Sequence, residues 1–391
     1  MCKLRLGIIG IGNMGSEHCR NIAAGLCPEI EISATADLRH DRRDWIRSFL
    51  GPSVPIFYSG DELIRNGLCD AVLIAAPHYQ HEPLSVQALN AGLHVLCEKP
   101  IAVTVNQAER MLKAADASRK TLALMFNQRT NSVYRSIKAL LDQNALGAIK
   151  RVSWTVTNWY RSQRYYDSGS WRATWKGEGG GVLLNQCPHQ LDLLVWLCGM
   201  PSAVQAHCHE GKWHHIEVED DVTAYLEFEN GATGVFITST GDLPGTNRLE
   251  ISGELGKIIC ENGSTRLWKL DVSERTLCYE SLEPWPHPLV HESVLSSDGK
   301  NPQHSGVLNA FAAHILRGEP LIASAEDGLC ALALSNAIHL SSWTGEKIRL
   351  PADKALFDQI LHHKISHSFL KDVADITYST DHSDTGASLL S

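Results

Sequence analysis

The feature that most constrains this chain is a glycine pattern directly after its first apolar run. Residues 4–9 are mostly apolar, and 10–15, Gly-Ile-Gly-Asn-Met-Gly, follow with the spacing GxGxxG before a helical pattern begins at Ser16. In a strand–turn–helix unit such glycines permit a tight turn, close approach of the backbone to a pyrophosphate, and packing of the helix on the strand. The helix N-terminus then offers free N–H groups to the phosphates. We predict a dinucleotide site formed by Gly10, Ile11, Gly12, Asn13, Met14 and Gly15.

An acidic residue indicates which dinucleotide is bound. Asp37 ends the second predicted strand, residues 29–37, and lies 22 residues after Gly15. A carboxylate there accepts hydrogen bonds from the ribose hydroxyls and repels a 2′-phosphate, so it favours NAD over NADP. Three arginines close by, Arg39, Arg42 and Arg43, weaken this preference.

The first third of the chain continues to alternate between strand and helix patterns. Strands are predicted over 70–77, 93–100 and 121–129, with helices over 81–92 and 104–120 between them. Strands joined by crossover helices form a parallel, doubly wound sheet, and ligands bind at the carboxyl ends of its strands. We therefore expect the following residues around the strand ends to contact the cofactor: Ala76, Pro77, His78, His81, Glu98, Lys99, Asn127 and Gln128.

The second half of the chain carries one unusual segment within an antiparallel pattern. Residues 221–240 and 247–270 alternate in polarity around Asn-Gly and glycine turns, which predicts β-hairpins. Before them, residues 179–194 read GGGVLLNQCPHQLDLL and place Asn185, His189 and Asp192 in an otherwise apolar stretch. Pro188 fits only the first turn of a helix. Asp192 is predicted either to hold the His189 ring or to be an ordinary paired helix residue.

Taken together, these motifs resemble the glucose–fructose oxidoreductase, inositol dehydrogenase and rhizopine-catabolism family (Gfo/Idh/MocA). The resemblance covers about residues 3–350 and rests on GxGxxG, Asp37, AAPHYQH (75–81), EKP (98–100) and GGGVLLNQCPHQLD (179–192). It implies an α/β fold, with an N-terminal Rossmann doubly wound parallel sheet plus a C-terminal α/β domain that has a large open, mostly antiparallel sheet. It also implies NAD as the cofactor and a subunit interface on that sheet, hence a homodimer or homotetramer.

The resemblance assigns the reacting hydroxyl to the EKP lysine and the later histidine, here Lys99 and His189. Both residue types suit the chemistry, because a desolvated lysine and a histidine can each accept a proton near neutral pH. Inositol dehydrogenase-like members have Asp four residues before the histidine, where this chain has Asn185. An amide can orient a hydroxyl or the imidazole but cannot serve as a base. The predicted catalytic residues are therefore Lys99, His189 and Asn185.

An aromatic and arginine-rich segment, residues 156–181, is the predicted substrate loop. Aromatic faces stack on sugar rings, and arginine and asparagine bind hydroxyls, although the same residue types are enriched in subunit interfaces. The predicted substrate-binding residues are Lys99, Asn158, Tyr160, Arg161, Trp175, Asn185 and His189.

Composition excludes several classes of partner and site. The net charge of −9 argues against nucleic acid and an anionic membrane surface, and no apolar stretch is long enough for a membrane helix. Eleven cysteines without a CxxC pair indicate reduced thiols of a cytoplasmic protein. The histidines of HCHEGKWHH (207–215) match no zinc spacing, so no metal is predicted. We expect a Rossmann domain over 1–127, a substrate domain with an oligomerisation sheet over 128–351, and a partly disordered extension over 352–391.

Three functions remain open at this stage. The first is an NAD-dependent dehydrogenase that oxidises a secondary hydroxyl of a sugar, glycoside or polyol. The second is an NAD-dependent glycoside-cleaving enzyme that works by transient oxidation, elimination, water addition and re-reduction. The third is a non-catalytic NAD-binding regulator, against which the presence of both Lys99 and His189 argues.

Overall fold

The structure, a computed structural model, describes residues 3–373 and residue 376. The first part of the chain forms a six-stranded sheet in which every pairing is parallel and the strand order is β3-β2-β1-β4-β5-β6. The strands are β1 (Leu4–Ile9), β2 (Ile30–Ala36), β3 (Ile56–Phe57), β4 (Ala71–Ile74), β5 (His94–Cys97) and β6 (Leu122–Leu124). The helices are α1 (Asn13–Ala23), α2 (His40–Leu50), α3 (Gly60–Arg65), α4 (His81–Asn90) and α5 (Val105–Ser118). This order reverses between β1 and β4, which confirms the doubly wound Rossmann sheet.

Continuous apolar runs explain why these strands lie in the middle of a layer. All four residues of β4 are buried, as are three of the four in β5. A parallel sheet covered by helices on both faces needs such runs rather than an alternating pattern. The strand β3 was not predicted, because two residues are too few to show a period.

The second sheet has nine strands in the order β14-β13-β12-β11-β7-β10-β9-β8-β15. Only β7 and β10 pair in parallel, so the prediction of a large, mostly antiparallel sheet is confirmed. Its strands are β7 (Ile149–Val156), β8 (Ala203–Glu210), β9 (Glu219–Glu227), β10 (Thr233–Ser239), β11 (Asn247–Gly253), β12 (Gly256–Glu261), β13 (Ser264–Leu270), β14 (Val290–Val294) and β15 (Ile348–Arg349). The edge strand β14 is exposed along its whole length.

Seven helices accompany this sheet in the described part of the chain. They are α6 (Ser132–Asp142), α7 (Gln163–Tyr166), α8 (Pro188–Cys198), α9 (Glu274–Glu280), α10 (Gln303–Arg317), α11 (Ala325–Thr344) and α12 (Lys354–Ser366). Leu191 and Leu194 of α8 and Ile338 of α11 join Trp154 and Phe236 of the sheet in one buried core. Pro188 is the first residue of α8, as its missing N–H requires.

Late helices of the chain return to the first sheet. Leu308 and Phe311 of α10 are buried in the same core as Leu6 and Ile8 of β1. Residues late in the predicted segment 128–351 therefore contribute to the core of the Rossmann sheet. In the predicted extension, Phe357 of α12 is buried in the core beside the Rossmann strands. The predicted disorder over 379–391 lies outside the described residues.

A buried ion pair fixes α8 to the end of the Rossmann domain. Arg129, in a 3₁₀ turn after β6, donates to both carboxylate oxygens of Asp192 on α8, at 2.8 and 2.6 Å. A second carboxylate, Asp327 at the start of α11, lies 3.0 Å from the same guanidinium. Of the two alternatives predicted for Asp192, the structure therefore shows the second: Asp192 is an ion-paired helix residue and does not hold the His189 ring. Because His189 precedes it by one helical turn, this pair also fixes where His189 stands.

We expect Arg129→Met to lower the free energy of unfolding by about 3–5 kcal/mol, because it leaves the Asp192 carboxylate buried without its bidentate partner. The double variant Arg129→Met with Asp192→Leu should recover much of that loss, since an apolar pair of similar volume replaces the charges. Urea denaturation measures both values. A double variant that is less stable than Arg129→Met would contradict this account of the pair.

Candidate active site

The turn between β1 and α1 has the shape that a dinucleotide pyrophosphate needs. A Cβ on Gly15 would lie 1.8 Å from the carbonyl oxygen of Gly10, and Gly10 itself has φ +90°. Gly12 caps α1 without a side chain, and a Cβ there would meet nothing within 4 Å. The first N–H groups of α1 therefore face open space at the carboxyl edge of the sheet. These residues fit the phosphates of NAD.

The predicted ribose ligand stands beside that turn. Asp37 accepts hydrogen bonds from the N–H of Ile11 at 2.6 Å and of Arg39 at 2.8 Å. Its two oxygens can accept further bonds from a ribose diol at the same edge. The carboxylate is thus held in place by the glycine turn that it serves.

The three neighbouring arginines are engaged inside the protein. Arg42 donates to the carbonyl of Ile11 and to the Ser16 hydroxyl, each at 2.6 Å. Arg43 donates to the carbonyls of Asp37 and Leu38, at 2.7 and 2.8 Å. Arg39 pairs with Asp41 at 2.7 Å. Guanidiniums committed to these partners would have to give up bonds to take a 2′-phosphate, so the arrangement favours NAD.

Lys99 follows β5 in the Rossmann domain, and its side chain reaches the turn that follows the three-glycine segment, residues 179–181. Its Nζ donates to the backbone carbonyl of Asn185 at 2.6 Å. Burial lowers the pKa of Lys99, and the positive charges of Arg161 and Arg172 act in the same direction, while the Glu98 and Glu178 carboxylates oppose them. A lysine whose ammonium form is disfavoured in this way loses its proton at lower pH than a free lysine, so its neutral amine is more accessible as a proton acceptor.

Glu98, the residue before Lys99, is a buried carboxylate with a histidine partner. The His18 ring on α1 lies 2.6 Å from its Oε1. Burial alone would raise the pKa of Glu98, but the hydrogen bond and the charges of His18, His304 and Lys99 outweigh it and lower this pKa to about 2. Glu98 therefore stays ionised and presents a fixed negative charge next to Lys99.

A second buried carboxylate anchors the three-glycine segment. Glu219 at the start of β9 accepts from the N–H of Gly181 at 2.9 Å and of Leu183 at 3.0 Å, and it lies 3.1 Å from His339 on α11. Burial opposes ionisation, but His339 and these donors outweigh it, so the pKa of Glu219 is lowered. A Cβ on Gly181 would lie 2.0 Å from the Glu219 carbonyl oxygen, which explains the glycine. The anchor sets the path of the chain toward Asn185.

Asn185 stands in the turn before α8 and not on the helix face with His189. Its amide nitrogen donates to the Glu178 carboxylate and lies 3.5 Å from the Tyr165 hydroxyl. Tyr165 also accepts from Arg172 at 3.0 Å. Burial raises the pKa of Glu178, although Arg172 and the Asn185 amide oppose the shift. Asn185 thus connects Lys99, through its carbonyl, to a protonatable carboxyl, through its amide.

His189, the second residue of α8, is buried and close enough to Lys99 for the lysine charge to act on it. Burial, the charge of Lys99 and the charge of His304 all lower its pKa well below the usual value. Its Nδ1 is buried with no hydrogen-bond partner in the described residues, and its ring packs edge-on against Phe126 at 5.9 Å. A neutral imidazole beside the Lys99 ammonium is available as a hydrogen-bond partner or a base.

Some side chains of the predicted substrate loop lie near Lys99, and others are buried in the core. Arg161 and Arg172 stack on the Tyr165 ring, at 5.1 and 4.8 Å, and their charges act on Lys99. Tyr160 is 41% exposed. Trp175, also predicted to bind substrate, is 4% exposed and packs against His339 and Trp343 with centroids at 6.0 and 5.6 Å, so its ring lies in the core. Asn158 lines a neighbouring cavity.

Several predicted cofactor residues are at the strand ends but are engaged elsewhere. Both ring nitrogens of His81 bind carbonyls, of Pro100 at 2.7 Å and of Ala76 at 2.8 Å, so this histidine is structural. Asn127 is fully buried and donates to Gln303 at 2.5 Å, and Gln128 donates to the same oxygen at 3.3 Å. His78 binds the Glu178 carbonyl through Nδ1 at 3.0 Å. Ala76 and Pro77 form the turn that follows β4.

Comparison with known proteins agrees with this geometry. Residues 4–126 match the model of the oxidoreductase family with an NAD-binding Rossmann fold, and residues 134–259 match the Gfo/Idh/MocA C-terminal domain. The chain belongs to the Gfo/Idh/MocA family. The match confirms the resemblance drawn from the motifs, and NAD as the cofactor.

Named relatives span nearly the whole chain. Myo-inositol 2-dehydrogenase of Thermotoga maritima is 25% identical over 360 residues, which cover 89% of this chain and 98% of the relative. The 1,5-anhydro-D-fructose reductase of Ensifer adhaerens is 26% identical and covers 88% and 97%. The WlbA dehydrogenase of Bordetella pertussis, crystallised with NADH and UDP-GlcNAcA, is 28% identical with a TM-score of 0.74 over 90% of this chain and 100% of that one.

Sequence reasoning missed four residues of this Gfo/Idh/MocA site. Glu178 was not predicted because the interpretation of this segment rested on the three glycines that follow it. Glu219 was not predicted because it begins a strand whose polar and apolar residues alternate in the ordinary way. Gln303 and His304 begin α10, and only the return of that helix to the Rossmann core brings them to the strand ends. The one available sequence signal was Glu178 itself, a carboxylate between two glycines at the end of an aromatic-rich segment.

Two further findings bear on partners. In residues 3–373 and 376, no helix is long and apolar enough to cross a membrane. The same residues hold no cluster of three His, Cys, Asp or Glu side chains that could bind a metal ion.

We expect Asp37→Asn to reduce the preference for NADH over NADPH about ten- to hundred-fold, because the amide keeps the Ile11 bond but loses the charge that binds the ribose and repels phosphate. Titration of nicotinamide fluorescence with each cofactor measures the two dissociation constants. Asp44→Asn, on α2 and paired with Arg47, is the matched control and should leave the ratio unchanged. A ratio that Asp37→Asn does not alter would assign the discrimination to another group.

Proposed function

We propose that the chain is an NAD-dependent dehydrogenase that oxidises a secondary hydroxyl of a sugar, glycoside or polyol. The observation that carries this proposal is the environment of Lys99, whose Nζ bonds the Asn185 carbonyl at 2.6 Å and whose charge acts on an ionised Glu98 and a neutral His189. Bound NAD supplies the hydride acceptor; the chain must supply the proton acceptor and hold the alcohol. The sugar and polyol names among relatives support the substrate class.

Lys99 and His189 act as one site for a single proton. The charge of Lys99 lowers the pKa of His189, so protonation of one disfavours protonation of the other. An alcohol oxygen within reach of both can give its proton to the neutral member of the pair as its C–H bond breaks. We assign the role of base to Lys99 in its neutral amine form, which burial favours by lowering its pKa, and the role of second hydrogen-bond partner to His189.

Asn185 and the residues around it would hold the substrate. Its amide is fixed by Glu178 and Tyr165, and its carbonyl is fixed by Lys99. Arg161 and Arg172 add donors on the loop side. Asn185 orients and does not accept the proton, since an amide has no basic form in this range.

The cell compartment and assembly form part of the proposal. We propose a cytoplasmic homodimer or homotetramer. The ten cysteines in the described residues are all free thiols, which suits a reducing compartment. The exposed side chains of Trp285, Leu289 and Val294 near the edge of the second sheet suit a subunit contact.

We expect Lys99→Met to lower kcat for sugar oxidation by about 10²–10⁴-fold, because the variant has no group to take the hydroxyl proton. The dissociation constant of NADH should change little, since the phosphate and ribose ligands are untouched. Nicotinamide absorbance and fluorescence measure the two quantities. Lys176→Met, at an exposed lysine of the predicted substrate loop (156–181), is the control. An equal loss of kcat in both variants would remove Lys99 from the mechanism.

The pH dependence of kcat/KM tests whether the negative charge of Glu98 acts on Lys99. Because the Glu98 carboxylate raises the pKa of Lys99, Glu98→Gln should lower that pKa, and the rising limb of kcat/KM for oxidation should move to lower pH. Glu82→Gln, on α4 and paired with Arg110, is the control. A limb that stays in place or moves to higher pH would contradict the role of Lys99 as base.

Glu178 favours a second candidate, the glycoside-cleaving enzyme that oxidises its substrate transiently. Burial raises the pKa of this carboxyl, so it can hold a proton and donate it to a departing aglycone oxygen. An aryl glycoside separates the candidates. We expect stoichiometric NADH without release of the aryl alcohol; aryl alcohol release without net NADH, abolished by Glu178→Gln, would establish the second candidate instead.

A further inference from the structure

A second cavity lies beside the site and is lined mainly by side-chain amides. It opens between the end of β7, the turn between β12 and β13, and α8. Gln128, Asn158, Gln190 and Asn247 contribute amides to its wall, and Tyr134 and Trp159 contribute aromatic rings. Lys99, Asn185 and His189 are not among its lining residues. A ligand group in this cavity is therefore a different group from the one that meets Lys99.

The lining leaves hydrogen-bonding capacity unused. In residues 3–373 and 376, Asn158 Oδ1, Trp159 Nε1 and Gln190 Oε1 are buried without a hydrogen-bond partner. Buried polar atoms are nearly always paired, so three unpaired ones around a single cavity call for a partner. They comprise one donor and two acceptors, a set that hydroxyl groups satisfy because each hydroxyl both donates and accepts.

The charge of the lining excludes anionic groups. Among the described residues that line the cavity, none is Lys, Arg or His, and the one charged member is Glu261. Glu261 is paired with Arg248 at 2.6 Å. Arg161 lies over the Trp159 ring at 5.7 Å but does not line the cavity. A phosphate or carboxylate placed here would be desolvated without a cation.

The cavity and the reacting groups share two stretches of chain. Gln190 directly follows His189 on α8, and Asn158 and Trp159 precede Arg161, whose charge acts on Lys99. Gln128 shares the Gln303 amide oxygen with Asn127 at the end of β6. The residues of the cavity and of the site are therefore continuous along the chain at these two points.

We propose that this cavity binds a second, uncharged and hydroxyl-rich ring of the substrate, so that the substrate is a neutral two-ring glycoside rather than a monosaccharide or a nucleotide sugar. The proposal rests on the dehydrogenase function proposed above. The aromatic faces of Trp159 and Tyr134 would pack on the ring, and the amides would bond its hydroxyls. Specificity follows because a ligand that lacks the second ring leaves these polar atoms unpaired.

Binding to the protein–NADH complex tests the proposal without turnover, because the reduced cofactor cannot accept a hydride. Isothermal titration calorimetry compares a panel of hexoses with the neutral disaccharides that contain them, and with glucuronic acid and UDP-glucose. We expect at least one disaccharide to bind about ten-fold tighter or more than either of its component sugars. UDP-glucose should bind no tighter than glucose.

Two variants on different elements localise the effect. Gln190→Leu on α8 and Asn158→Leu after β7 should each cut the advantage of the disaccharide over the monosaccharide about five-fold or more. Gln143→Leu, an exposed glutamine at the end of α6, is the matched control and should leave the advantage unchanged. Thermal unfolding of each variant identifies any that fails to fold, in which case the other decides.

The outcomes separate this inference from the proposed function. Disaccharides that bind no tighter than their components, an advantage that neither variant reduces, or preferred binding of UDP-glucose would each overturn the cavity assignment. Absence of NADH formation with every sugar in a parallel assay with NAD would overturn the dehydrogenase function instead, whatever the calorimetry shows.

Discussion

The hydrogen bond from Lys99 Nζ to the carbonyl of Asn185 joins the two halves of the site, and most of the surrounding structure serves to place its two ends. Desolvating an ammonium is costly unless carbonyls and carboxylates surround it. This chain supplies the Asn185 carbonyl, an ionised Glu98 and a nearby Glu178, yet burial still lowers the pKa of the lysine. The result is a lysine held in a fixed place whose charged form is only partly compensated, which is what a proton acceptor needs.

Each end of that bond depends on a buried carboxylate of its own. On the Rossmann side, His18 holds Glu98, so that the first helix after the glycine turn also supports the residue before Lys99. On the other side, Glu219 binds the N–H groups of the glycine segment, and the Arg129–Asp192 pair orients α8. The GxGxxG turn, Lys99 and the glycine segment before Asn185 are therefore parts of one hydrogen-bonded frame, and a change to any of these carboxylates is expected to alter the position of Lys99.

Local patterns predicted the parts of the fold that local sequence determines. The GxGxxG turn, the strand pattern up to β6 and the hairpins of the second sheet each depend on residues within a short window. The return of α10 to the first sheet was not predictable, because Leu308 meets Ile8 only after the chain has built a second sheet between them. For the same reason His304 could not be placed near Glu98 and His18 from the sequence.

The site shows a similar division. Lys99, His189 and Asn185 were predicted because their motifs resemble those of the family, but the direction of a side chain in an irregular loop has no sequence signal. Trp175 and Tyr165 belong to the same aromatic loop, yet Trp175 packs in the core with Trp343 while Tyr165 bonds Arg172 and faces Asn185. Residue type indicated that the loop matters, and only the packing against α11 and α12 decides which of its rings are available to a ligand.

The most direct test of this account is a crystal structure of the protein with NADH and a bound sugar or polyol that competes with the substrate. The account predicts one carbinol oxygen within hydrogen-bond distance of both Lys99 Nζ and a His189 ring nitrogen, with its carbon facing the nicotinamide ring. A ligand whose hydroxyls reach only one of these two groups, or neither, while the cofactor occupies the glycine turn, would contradict it.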